Sequence, residues 1–241
     1  MFAESEFCPE DAPKELKRKE FEPYMDNQGT CLGFSGKDYT VIAADTRCSD
    51  GYLIMSRHCQ KIVKLTDKIV LATAGMRAEY ATLHKSMLYD IEMYKYKNHK
   101  DISLPECAQL LQNTLYSHRF FPIYAFCILG GLDEAGKPAL YAYDAIGSYQ
   151  KTKVSAVGSG GQLVEPVLDS LILRHHRQKV PSEGDPTGDK DWNPSEEKAI
   201  EYAHQALISA AERDIHTGDF AEIYVINKTG VKRIIKELKF D

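Results

Sequence analysis

A chain of 241 residues that is 43% hydrophobic and 27% charged suits one large globular domain with a sizeable core. A formal net charge of −5 gives no support for nucleic-acid binding, and no apolar run approaches the roughly 20 residues of a membrane-spanning helix. The opening Met1-Phe2-Ala3-Glu4-Ser5-Glu6-Phe7 has neither the basic nor the apolar stretch of a secretory signal. Cys8, Cys31, Cys48, Cys59, Cys107 and Cys127 form no C-x-x-C pair and mostly sit in strand- or helix-like surroundings. We read them as reduced, buried thiols of the cytosol or nucleus, not as a disulfide framework.

Residues 1–28 are polar and charge-dense, and Pro9, Pro13 and Pro23 break any long helix there. The basic residues of 14–19 alternate with glutamates, which describes a solvated segment more than a binding patch. We expect an exposed extension over 1–20 and a folded domain over 21–241. Strands are predicted at 30–35 and 39–44 around Gly36-Lys37-Asp38, and at 60–65 and 69–74 around Thr66-Asp67-Lys68. Tyr80, Leu83, Met87, Leu88, Ile91 and Tyr94 recur at three- and four-residue spacing, the apolar face of a helix over 77–97.

Ser103-Leu104-Pro105-Glu106 reads as a capping box opening a second helix that runs to 119. Strands follow at 124–132, 139–144 and 152–157, then a helix over 161–176 in which Pro166 demands a position near the start or a kink. A polar loop occupies 177–194. Asn193-Pro194-Ser195-Glu196 then opens a fourth helix, with asparagine as cap, proline at N1 and glutamate at N3. A last hairpin pairs 222–226 with 231–237. This order predicts an α+β fold, a four-layer αββα sandwich with two antiparallel sheets between helix pairs.

Certain groups recur at set distances along these runs. Gly29-Thr30 begins the first strand, Asp45 lies inside Val41-Ile42-Ala43-Ala44-Asp45-Thr46-Arg47, Lys61 inside Gln60-Lys61-Ile62-Val63, and Gly75 ends Leu71-Ala72-Thr73-Ala74-Gly75. Ser159 lies in Gly158-Ser159-Gly160-Gly161, while Asp214 and Thr217 lie in Arg213-Asp214-Ile215-His216-Thr217-Gly218. The set resembles the β-type subunits of the proteasome, threonine hydrolases of the N-terminal-nucleophile type. In active members a self-made N-terminal threonine attacks a carbonyl and its own α-amine takes the proton. A lysine held by aspartates favours the developing anion, and a glycine amide stabilises the oxyanion.

By that resemblance Asp45 and Lys61 match the aspartate and lysine, Gly75 the oxyanion glycine, and Ser159 and Asp214 the later serine and aspartate. Thr217 stands where a serine is usual. The nucleophile position falls sixteen residues before Asp45, thirty-two before Lys61 and forty-six before Gly75, which is Gly29. A glycine has no hydroxyl, so no catalytic residue is expected and the eight positions are vestigial. An alternative places the nucleophile at Thr30 after cleavage of Gly29-Thr30, with one residue lost at the turn 36–38. That one-residue slip turns the side chain to the opposite face of the strand unless a bulge restores it. Without a nucleophile, Lys61, Asp45 and Asp214 are expected to persist as a buried ion network, while Ser159 and Thr217 serve in caps or turns.

The remaining candidates carry less. His175-His176 are adjacent and do not share a helix face, and His58 beside Cys59 has no positioned third group. No cofactor and no metal are expected. The resemblance covers residues 20–241. Phe21-Glu22-Pro23-Tyr24-Met25-Asp26-Asn27-Gln28, Arg119-Phe120-Phe121-Pro122, Gly131-Leu132-Asp133-Glu134-Ala135-Gly136-Lys137, Tyr143-Asp144-Ala145-Ile146-Gly147-Ser148-Tyr149 and Glu237-Leu238-Lys239 are similar to one non-catalytic member, as is the placing of the 177–194 insertion. The resemblance implies a structural role in the β ring, with other α and β subunits as partners in a stack of four seven-membered rings. It further implies regulatory caps, ubiquitin- and ATP-dependent protein degradation by neighbouring subunits, and a location in cytoplasm and nucleus. Residues 1–20 would be a propeptide. Neither nucleic acid nor membrane is implied as a partner.

Overall fold

The computed structural model describes residues 23–173 and 194–241. The expectations for the 1–20 extension, for His175-His176 and for nearly all of the 177–194 loop lie outside these residues. The chain forms strands β1 (Thr30–Ser35), β2 (Thr40–Asp45), β3 (Cys48–Asp50), β4 (Leu53–Ser56), β5 (Ile62–Lys64) and β6 (Ile69–Gly75). Helices α1 (Arg77–Asn98) and α2 (Leu104–Ser117) follow, then strands β7 (Ala125–Leu132), β8 (Pro138–Tyr143), β9 (Tyr149–Thr152) and β10 (Val154–Gly158). Helices α3 (Gly161–Leu168) and α4 (Glu196–Ala211) and strands β11 (Phe220–Asn227) and β12 (Gly230–Glu237) follow among the described residues.

Two five-stranded antiparallel sheets result, ordered β10-β1-β2-β11-β12 and β5-β6-β7-β8-β9, with β3 and β4 as a separate hairpin. The alternation of a strand's side chains divides the core. From β2, Ile42 and Ala44 join Val70, Ala72, Ile128 and Leu140 of the second sheet. Val41 and Ala43 of the same strand join Val164, Leu168, Ala203 and Leu207 of α3 and α4. Leu71, Cys127 and Leu129 of the second sheet pack instead with Tyr80, Leu83, Met87, Leu111 and Leu115 of α1 and α2. With apolar partners on both faces, β2 is buried throughout, which is why it reads as a continuous apolar run.

The structure corrects the sequence expectations in four places. Residues 152–157 are not one strand: Thr152 pairs with Leu140 in the second sheet, whereas Val154 pairs with Phe34 in the first, so the chain changes sheets at Lys153. The third helix keeps α-geometry only to Leu168 and continues as a π-turn over Asp169–Leu173, beyond Pro166, whose ring denies the ladder one donor. The cap of α4 is Ser195, not Asn193, its hydroxyl accepting from the Lys198 amide at 3.4 Å. The β3–β4 hairpin was not expected, because Leu53, Ile54 and Met55 are all exposed and show no alternation. The capping box of α2 is present, with Glu106 accepting from the Ser103 amide and hydroxyl, both at 2.8 Å.

Candidate functional site

The site lies where β1 begins, beside the end of β2 and the approach to β5. Gly29 adopts φ +91, in the left-handed region that L side chains enter only at a cost. A Cβ built on Gly29 would overlap the Lys61 ammonium and lie 2.6 Å from Lys61 Cε and 3.0 Å from Asp45 Oδ1. The volume a side chain at position 29 would need is occupied by Lys61.

Lys61 Nζ donates to Asp45 Oδ1 at 2.5 Å and to the Arg47 carbonyl at 2.6 Å. Both side chains are almost completely shielded from solvent. Asp45 Oδ1 also accepts from the Thr30 amide at 2.8 Å, while Oδ2 accepts from the amides of Arg47 at 3.2 Å and Gly218 at 3.3 Å. Burial pushes the Asp45 carboxyl above its ordinary range, opposed by the Lys61 charge and by hydrogen bonds from Lys61, Thr30 and Gly218.

Thr30 belongs to a second set of groups. Its Oγ1 accepts from the Gly160 amide at 2.9 Å and lies 2.7 Å from Thr217 Oγ1. Thr217 donates its proton to Asp214 Oδ2 at 2.6 Å. Since a hydroxyl carries one proton, the proton between the two threonines comes from Thr30. The Thr30 hydroxyl is therefore committed as donor to Thr217 and as acceptor to Gly160. Ser159 completes the set, its hydroxyl donating to Asp214 Oδ2 at 2.6 Å and its amide to the Gly29 carbonyl at 3.0 Å.

The expectation that Asp214 shares Lys61 with Asp45 is thus overturned. Among the described residues no hydrogen bond or ion pair joins Asp214 to Lys61; its oxygens are taken by Ser159, Thr217 and the His216 amide. Gly75 ends β6 at φ +121, and a Cβ there would lie 2.6 Å from the Tyr124 carbonyl, so a glycine lets the chain turn from the sheet into α1. His58 stacks on Phe220 with centroids 5.1 Å apart, and the Cys59 thiol shares a 3.0 Å hydrogen bond with Tyr80. That separates the two as candidate partners. The described cysteines are all free and buried.

Three polar residues that shape the site went unassigned in the sequence. Arg47 donates from Nε and Nη2 to both oxygens of Asp219, at 3.0 and 3.3 Å, and this buried pair also receives Arg57. Arg47 further binds the carbonyls of Ile215 and Lys239, tying the start of β3 to the end of the chain. Asn27 bridges β3 and α1: its Nδ2 donates to the Ser49 carbonyl at 3.2 Å and its Oδ1 accepts from the Arg77 amide at 2.8 Å. No sequence signal marks these residues, because their partners are distant in the chain.

In sum of chemistry, the site holds an ammonium–carboxylate pair beside a backbone position with no side chain. The hydroxyl of the adjacent Thr30 is already bonded on both sides. The chain matches the family described as "Proteasome subunit" over residues 25–180. It is 44% identical over 232 residues to "Proteasome subunit beta type-1" of Dictyostelium discoideum, covering 96% of this chain and 95% of that one. The protein of the same name from Oryza sativa subsp. japonica is 44% identical over 90% of this chain and 96% of its own. "Proteasome subunit beta type-6" of Saccharomyces cerevisiae is 36% identical over 92% of each chain.

Proposed function

The chain belongs to the proteasome subunit family, and from that membership we propose that it is a non-catalytic structural subunit of the β ring of the 20S core particle. The observation that carries the proposal is Gly29. The position matching the family's nucleophile has no side chain, and Lys61 fills the space one would need. The competing reading, a Thr30 nucleophile, is opposed by the Thr30 hydroxyl being bonded to Gly160 and Thr217 with its proton directed to the latter. Its amide is likewise held by Asp45. In this reading the two five-stranded sheets and the described helices are the four-layer sandwich of N-terminal-nucleophile hydrolases, kept as a scaffold.

Gly29, Thr30, Asp45, Lys61, Gly75, Ser159, Asp214 and Thr217 then have structural work only, holding the start of β1 in place. The subunit takes one position in a seven-membered β ring, within a stack of four rings served by regulatory caps. Neighbouring threonine-protease subunits cut the ubiquitin-tagged chains, in cytoplasm and nucleus. Residues 1–20 are a propeptide that an active neighbour trims, and 177–194 is an insertion of the ring subunit. The test is to treat purified core particles with a threonine-directed electrophile and weigh every subunit. We expect this chain to co-elute with a particle many times its own 27.2 kDa and to keep its mass while catalytic neighbours gain an adduct. An adduct on Thr30, or elution of the chain alone, would refute the proposal.

A further inference from the structure

Two cysteines stand at the base of the β3–β4 hairpin. Cys48 opens β3, and Cys59 lies on the returning chain just beyond β4. The two stretches are stitched together around these residues. The Cys59 amide donates to the Thr46 carbonyl at 2.8 Å, and Lys61 Nζ donates to the Arg47 carbonyl at 2.6 Å. Both thiols are buried in one apolar cluster. Burial raises the Cys48 thiol, and Cys59 raises it further through its charge and a hydrogen bond, so the two sulfurs act on each other directly. The charges of Arg77 and Lys61 work the other way.

The surroundings let the pair react. The β3–β4 register shifts between Cys48 and Ser49, and a bulge interrupts the ladder there, so Cys48 can move without breaking a regular pairing. Cys59 borders a cavity of about 360 Å³ lined also by Thr46, His58, Gln60 and Phe220. A water-sized molecule takes roughly 30 Å³, so a small peroxide has room beside the sulfur. The Tyr80 hydroxyl lies 3.0 Å from Cys59 Sγ and can donate to the thiolate, the form that attacks an oxidant.

We propose that Cys48 and Cys59 are a redox pair, reduced in this structure and joined as a disulfide when the chain meets a hydroperoxide. Cys59, which borders the cavity, attacks first. An S–O bond forms and the O–O bond breaks, and the leaving hydroxide takes up the thiol proton as water, giving a sulfenic acid. Cys48 then attacks that sulfur. The S–S bond forms, the S–O bond breaks, and a second water leaves with the Cys48 proton. Each sulfur gives up one electron and the peroxide gains both. The bridge ties β3 to the 57–61 connection and fixes the hairpin that carries the exposed Tyr52, Leu53 and Met55. Gly29 takes no part, so the pair stands apart from the question of catalysis.

The test exposes the purified full chain, in its native assembly, to graded hydrogen peroxide. Remaining thiols are alkylated in denaturant, and a non-reducing digest is mapped by mass spectrometry. The expected result is a linked Cys48–Cys59 peptide that forms before any change at Cys31, Cys107 or Cys127 and disappears with dithiothreitol. Amide exchange over residues 51–55 slows about tenfold in the bridged form, because the hairpin can no longer open at its base. Cys48 and Cys59 still alkylated when the other thiols are oxidised, or Cys59 passing unbridged to the sulfinic acid, overturns the proposal. A bridge without slower exchange overturns the effect on the hairpin. Cys48→Ser gives a second reading: with no partner thiol, the Cys59 sulfenic acid persists and takes up dimedone about fivefold more than the native chain. Equal uptake overturns the pairing. Should that variant fail to assemble, the native digest decides alone.

Discussion

Replacing Gly29 by alanine tests whether Lys61 occupies the place of a missing side chain. The new Cβ overlaps Lys61 Nζ and approaches Asp45 Oδ1 to 3.0 Å. Two costs add. An L residue at φ +91 carries roughly 1–2 kcal/mol of backbone strain. The second cost comes from moving the ammonium. Complete rupture of a buried ion pair costs about 3–5 kcal/mol, but Lys61 has a flexible stem and can retreat while keeping part of its bond. We therefore expect about 2–3 kcal/mol here, and roughly 3–5 kcal/mol in total. The assay is amide exchange at Thr30, whose N–H is bonded to the same Asp45 oxygen as Lys61, measured in a double-mutant cycle with Lys61→Ala. Lys61→Ala empties the contested space, so in that background Gly29→Ala should cost only the backbone strain, leaving a coupling of about 2–3 kcal/mol. A Gly29→Ala cost that is the same with and without the lysine side chain would refute the reasoning.

Other outcomes follow from the same geometry. Asp219→Ala strands Arg47, whose side chain is buried, and should cost about 3–5 kcal/mol in chemical denaturation; Arg57→Ala, at a partly exposed partner, should cost about 1 kcal/mol or less. Thr30→Val leaves the Gly160 amide without its acceptor and should cost about 1–3 kcal/mol, with the peptidase rate of the assembled particle unchanged. Burial lowers the His84 pKa to about 4 from an ordinary 6.5. The unfolded chain then binds the proton first as pH falls, so stability is full above pH 6.5 and is lost down to about 4, by roughly 3 kcal/mol. His84→Gln should flatten that part of a stability-against-pH curve. Glu106→Ala removes the acceptor of the Ser103 amide and hydroxyl at the head of α2 and should cost about 1 kcal/mol by thermal melting.

Much of the fold could be read from local chemistry. The family suggested by the spacing of Asp45, Lys61 and Gly75 is borne out by the comparisons. Strand β1 was legible to the residue, because a short apolar run lies between Gly29 and the turn at 36–38. The helix at 77–97 was legible because its buried residues, Tyr80, Leu83, Met87 and Ile91, repeat at helical spacing. What escaped depended on distant partners. Lys153 looks like the middle of a strand, and only the pairing of its neighbours with Leu140 and Phe34 makes it a crossing between sheets.

At the site, the register of β1 against β2 brings residues 30–31 to 44–45, whereas Lys61, just before β5 in the other sheet, was grouped with Gly29 and Asp45 only through the family resemblance. Asp214 was misassigned to Lys61 because sequence order says nothing of which face of a turn a carboxylate takes. Arg47 and Asp219 are 172 positions apart, and Asn27 is an ordinary polar residue until Ser49 and Arg77 are placed around it. Such partners are brought together only once the fold has formed, and Asn27 there satisfies backbone groups of Ser49 and Arg77.

The most direct test of the central claim is N-terminal sequencing of this chain from purified native particles. The account predicts a start upstream of Gly29, leaving Thr30 in internal peptide linkage with no free amine to act as base. A start at Thr30 would mean that the chain had cut itself, and this would be an active threonine protease.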